Sequence, residues 1–141
     1  MSQEVKERFV GRFKNGERPK MNEEVRELWA KALESNEFEQ GRYALNKQDA
    51  KFCCLGVLTV LAERAGVHLA KREDERTGNF GMFRYGLAGQ TGYLPGEVLA
   101  WAGLLTEDPY VTYKGTSEPL TALNDRGVQF KTIATIIREQ L

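Results

Sequence analysis

Residues 51–66 read KFCCLGVLTVLAERAG, and between positions 52 and 62 the only polar side chain is that of Thr59. A helix that is apolar on every side has to be enclosed on every side. The run is too short to span a bilayer and carries Gly56 within it, so it predicts a central core helix wrapped by the rest of the chain, not a membrane anchor. Asp49 stands ahead of it as the expected N-cap, and Gly66 behind it as the expected left-handed stop.

A chain of 141 residues encloses one core, and 41% hydrophobic with 28% charged residues is a globular composition. Lys plus Arg and Asp plus Glu number 20 each, so no net field draws the protein to nucleic acid or anionic lipid, and any such site has to be local. The sequence opens without an apolar leader and contains no long hydrophobic segment, from which a cytoplasmic protein with no membrane partner is expected. Cys53 and Cys54 are adjacent and would point about 100° apart on a helix, which suits them poorly to bonding each other. With the single His68 they are too few for a four-ligand zinc site, so no metal and no cofactor are expected. They read either as two small buried hydrophobes or as a low-pKa nucleophilic thiol near the helix start.

Working outward toward the N-terminus, the polar stretch 35–49 gathers Arg42, Tyr43, Asn46 and Lys47, with Lys51 close behind, just ahead of the buried helix. A helix N-terminus offers unpaired N–H groups and partial positive charge, a place that suits an anion such as a phosphate. Upstream, Asn22 caps a helix with Glu23, Glu24 and Glu27 at its positive end, and Val25, Leu28, Trp29, Ala32 and Leu33 form its apolar stripe. Residues 1–20 carry six basic and three acidic side chains interleaved with Phe9, Val10 and Phe13. They read as an N-terminal extension, with a helical turn over 5–13, to a single globular domain at 21–141.

Toward the C-terminus, the mixed charges at 71–76 predict an exposed loop. Phe80, Met82 and Arg84 alternate with Phe83 and Tyr85, predicting a hairpin about a turn at 88–92. Pro95 opens a short helix through Val98, Leu99, Trp101 and Ala102 that stops at Gly103, where Leu104 folds back on Leu99. Asp108-Pro109 opens a strand. Ser117 is the expected cap of a short helix closed by Gly127, with Val128 folding back on Leu123. A last helix puts Phe130, Ile133, Ala134, Ile137 and Leu141 on one face, with Ile136 beside it. The fold class is α+β, a mostly helical single domain of about five helices around the buried one, with a small antiparallel sheet of three or four short strands.

Four patches in order, GRYALNKQDAKFCCLGVLTVLAERAG, LPGEVLAWAGL, DPYV and LTALNDRGVQFKTIATIIREQL, resemble a family of small proteins common in tailed-bacteriophage genomes and mostly of unassigned function. Its pattern is a CCLGVL core helix, a proline-initiated helix ending in WAGL, and a closing LND-x-G-x-x-F-x-x-I-A. The chain departs from it at Gln129, where the family tends to have a capping Ser, and at Thr59, where a further Cys is common. The resemblance implies a phage-encoded protein acting in the host-cell cytoplasm.

No phosphate-binding glycine loop, dinucleotide fingerprint, H-E-x-x-H or G-x-S-x-G motif occurs. For an enzyme acting on a nucleotide, the candidates are an Asn124-Asp125 base or a Cys53 thiolate, each assisted by Arg84 or Arg42. The closing stretch also resembles the first half of a helix-turn-helix, although the sequence stops at Leu141 with no recognition helix after it. The leading expectation is a binding module in which Arg42, Tyr43, Lys51, Arg84, Tyr85, Tyr110 and Tyr113 hold a nucleotide-like small molecule, since arginine forks suit phosphates and tyrosine faces suit bases. In a phage setting this implies an accessory, counter-defence protein that sequesters a nucleotide-derived host signal. A nucleic-acid-binding regulator, an inhibitor of a host protein and a homo-oligomer are the remaining partner classes.

Overall fold

The computed structural model describes residues 20–75 and 81–141, and the expectations placed on residues 1–19, on Arg76 and on Phe80 fall outside them. Asn22 accepts a hydrogen bond from the Val25 N–H at 3.0 Å and starts helix α1 (Glu23–Glu34). Its buried stripe is Val25, Trp29, Ala30 and Leu33, while Leu28, expected on that stripe, is exposed. The polar stretch that follows is stitched at both ends, because β1 (Glu39–Gln40) and β2 (Lys51–Phe52) pair in parallel. Phe52 sets its ring edge-on against Phe38, centroids 5.4 Å apart, so the central helix begins only after it. That helix, α2 (Cys54–Arg64), buries eight of its eleven residues. The Thr59 hydroxyl, its buried polar group, donates to the Leu55 carbonyl one turn back.

Lys71–Glu73 form β3, antiparallel to β4 (Phe83–Tyr85), with Arg72 opposite Arg84. A charge cluster expected as a loop is thus a strand with all three side chains exposed, because backbone pairing needs no apolar pattern on a solvated edge. Tyr85 and Gln90 exchange two backbone bonds of 2.9 Å and close the turn at 86–89, ahead of the expected 88–92. Helix α3 (Gly96–Ala102) ends as expected at Gly103, φ 70°, where the Leu104 N–H donates to the Leu99 carbonyl at 3.1 Å. β5 (Tyr110–Tyr113) and β6 (Thr116–Pro119) form a hairpin across Lys114 and Gly115, both left-handed. Ser117 therefore lies in a strand, and helix α4 (Leu120–Asp125) starts after Pro119 with no side-chain cap of its own.

Helix α5 (Phe130–Gln140) lays Phe130, Ile133, Ala134, Ile136 and Ile137 into the core and packs chiefly on α1. Arg138 on α5 joins Glu27 and Glu34 of α1 at 2.8 and 2.6 Å. The α4–α5 pair is a packed corner whose apolar side is covered. At the centre, α2 touches α1, α3 and α4. The architecture is α+β, with five helices among the described residues. The short strands pair as three separate two-stranded ladders, since each is too short and too widely spaced by helices to join one sheet. No described helix is long and apolar enough to cross a membrane.

The segment 41–46 crosses the first turn of α2. The Cys53 N–H donates to the Ala44 carbonyl at 3.2 Å, and the Leu45 N–H to the Thr91 carbonyl at 2.7 Å. A Cβ at position 56 would sit 1.7 Å from the Leu45 carbonyl oxygen, so only glycine allows the chain to approach the helix this closely. Gly56→Ala is expected to cost more than about 3 kcal/mol, because backbone on both sides has to move. Urea unfolding measures it, and a variant within about 1 kcal/mol of wild type would contradict the packing described.

Candidate ligand cleft at the start of the central helix

The N-terminus of α2 is inside the protein, where its N–H groups need partners. Asp49, the expected cap, is elsewhere. It sits in a left-handed turn, φ 54°, where it accepts from Asn46 Nδ2 and pairs with Lys71. The cap comes from α4: Asn124 Oδ1 accepts the Cys54 N–H at 3.1 Å. Cys53, the residue at the N-cap position, makes no side-chain hydrogen bond to the helix. One of the donors that would have held a phosphate is therefore taken.

Beside this helix end lies a cleft of about 410 Å³ between the 41–46 segment, the loop after β4 and α4. Tyr43 and Tyr93, 68% and 47% exposed, flank it, and Cys53, Gln90, Thr121 and Asp125 line it among others. Asp125 follows Asn124 on α4, and adjacent helical residues diverge by about 100°; one caps α2 while the other faces the cleft. Asp125 Oδ1 accepts the Tyr43 N–H at 3.0 Å and Asn124 Nδ2 at 3.1 Å, which holds Tyr43 in its left-handed conformation, φ 67°. Thr121, one turn earlier, donates its hydroxyl and its N–H to Asp108, and Gln90 Nε2 donates to Glu107 at 2.9 Å.

The electrostatics are acidic. Burial pushes the Asp108 carboxyl above its ordinary range, and the negative charges of Asp125 and Glu107 push the same way. Burial raises the Cys53 thiol to about 12, with smaller contributions in the same direction from Asp125 and Asp108. Cys54 is raised as well, by burial first. Both cysteines are free and buried, which agrees with the reading of two small buried hydrophobes and not with that of an activated thiolate at the helix start. Among the described residues no three His, Cys, Asp or Glu side chains gather as metal ligands.

The seven residues proposed from sequence do not converge. Tyr43 alone lines the cleft. Arg42 is exposed beside the α4–α5 turn, its Nη2 3.1 Å from where a Gly127 Cβ would lie. Lys51 is exposed on β2 and pairs with Glu39 at 3.8 Å. Arg84 is paired at 2.9 Å with the buried Asp74 and lines a separate groove with Arg72, Glu73 and Glu75. Tyr85 is 1% exposed, and its hydroxyl accepts from the buried Asn46, so it is a core residue. Tyr110 is exposed on the β5–β6 hairpin, and Tyr113 packs under Lys114 and Arg126. The expectation that Arg42, Lys51 and Arg84 form one anion site is corrected accordingly: the three stand at separate places, and Arg84 is held by the buried Asp74. Gln90, Thr121 and Tyr93 were missed because the 88–92 segment read only as a turn and Ser117 only as a cap.

Residues 21–141 match the family described as Domain of unknown function (DUF8296), and the chain belongs to that family. No curated protein and no solved structure matches it.

The thiol environment makes a pH prediction. Because the fold raises Cys53 from an ordinary 9.0 to about 12, its contribution to stability is complete below pH 9 and is lost as the pH climbs toward 12. The urea midpoint should fall across that window, less steeply in Cys53→Ala. At pH 8 iodoacetamide should label neither cysteine of the folded protein and both after denaturation; rapid labelling of the native protein would refute the burial.

Proposed function

We propose that this protein is a small-molecule binding module that takes the ring of a nucleotide-like ligand into the cleft and holds it unchanged. The observation that carries the reading is the pair of exposed tyrosines, Tyr43 and Tyr93, flanking a cleft of about 410 Å³ with hydrogen-bonding side chains between them. That volume lies within the range of small-ligand pockets, and exposed tyrosine faces stack on bases of any identity. Holding without conversion is supported by the state of the candidate groups: the Cys53 thiol is raised to about 12, and Asp125 Oδ1 already accepts two hydrogen bonds. The resemblance to phage proteins supplies the setting, an accessory factor that withholds a nucleotide-derived signal of the host.

Thermal stabilisation across a panel of nucleosides, nucleotides and cyclic dinucleotides tests the reading, followed by denaturation and analysis of the released ligand. An unchanged ligand supports sequestration, whereas recovery of a converted product would make the protein an enzyme. Salt-sensitive retention on duplex DNA without a ligand shift would favour a regulator instead. For any ligand that binds, Tyr93→Ala should weaken Kd by an amount equivalent to ~1–3 kcal/mol of lost stacking, and an unchanged Kd in calorimetry would remove Tyr93 from the site.

A further inference from the structure

Three polar side chains of the cleft, Asp125, Thr121 and Gln90, present acceptor atoms. Asp125 Oδ1 accepts two hydrogen bonds, and Oδ2 has no partner among the described residues. Thr121 donates its hydroxyl proton to Asp108 Oδ2. What Thr121 has left to offer is lone pairs. Gln90 points its NH2 at Glu107, which orients the amide and leaves Oε1 with no hydrogen bond among the described residues. In each case at least one acceptor remains open. At the neighbouring helix end Asn124 takes the Cys54 N–H. The carboxylates nearby, Asp125, Asp108 and Glu107, oppose an anion.

Resting on the nucleotide reading above, we infer that the cleft selects a base that presents an exocyclic amino group, of the adenine or cytosine type, and that any phosphate of the ligand stays outside it. Asp125 is the specificity-determining acceptor. Its carboxylate is held from behind by the Tyr43 N–H and Asn124 Nδ2, so Oδ2 is presented without needing to reorganise. An oxo group in place of the amino group would set acceptor against acceptor, and buried polar groups left unpaired discriminate strongly. The Arg42 guanidinium, exposed on the residue next to Tyr43, is a cation that a phosphate left outside the cleft could meet.

Calorimetry on the wild-type protein with matched pairs decides the matter: adenosine against inosine, cytidine against uridine, and ribose 5-phosphate alone. The amino member of each pair should bind about ten-fold or more tightly than its oxo counterpart, and ribose 5-phosphate should not bind. Asp125→Asn keeps an oxygen for Tyr43 and Asn124 while turning Oδ2 into a donor, so it should abolish or reverse the preference with an unchanged urea midpoint. Equal or tighter binding of the oxo members, or binding of ribose 5-phosphate as tight as that of the nucleosides, overturns the inference and leaves the nucleotide reading intact. Absence of binding by every nucleoside and nucleotide overturns that reading itself. The wild-type ligand pairs keep the test decisive even if Asp125→Asn fails to fold.

Discussion

A helix that starts in the protein interior has to find partners for its first N–H groups, and the bond from the Cys54 N–H to Asn124 Oδ1 meets that demand across 70 residues of sequence. Asn124 is fully buried and fully used. Its Oδ1 also accepts from Gln40 Nε2, and its Nδ2 donates to the Gly41 carbonyl and to Asp125. Gln40 extends the connection to the last helix, donating to the Val128 carbonyl and accepting the Phe130 N–H. Gln129, which offers α5 no side-chain cap, is thus relieved of that task from β1. Removing one member would strand several buried polar groups at once, each costing about 1–3 kcal/mol when left unpaired.

The same arrangement builds the cleft. With Asn124 turned inward to cap α2, the next residue on α4 is turned outward, and its carboxylate pins Tyr43 at the rim. Gly56 lets the segment carrying Tyr43 and Ala44 lie directly on the helix, so one wall of the cleft is also part of the core packing. Around the helix end, whose Cys54 N–H is taken by the Asn124 amide, stand the carboxylates of Asp125 and Asp108. The usual attraction of a helix N-terminus for phosphate is opposed here by those carboxylates.

The features that were legible in the chain are local ones. Gly66, Gly103 and Gly127 each end a helix in the left-handed conformation with the following apolar residue folded back, because a C-terminal motif is closed by residues a few positions apart. The Asn22 cap and the all-round burial of α2 were equally plain, the first from a side chain reaching three residues ahead, the second from a run with no polar face. Ser117 misled because a good cap residue also sits comfortably in a strand, and the left-handed pair at Lys114 and Gly115 decided for the hairpin.

Sequence alone determined that a greasy helix lies at the centre of an α+β domain and where its neighbours stop, and it put Tyr43 forward among seven candidate ligand residues. Only the tertiary structure decided that Asn124, and not Asp49, caps that helix, that Arg84 and Lys51 stand at separate places, beside Asp74 and Glu39, and that Gln90, Thr121 and Tyr93 come to the same cleft. The physical reason is one of range. Caps, stops and apolar periodicity are settled within a turn or two of chain, whereas the partner of a buried polar group is whichever residue the packing of distant helices brings within about 3 Å.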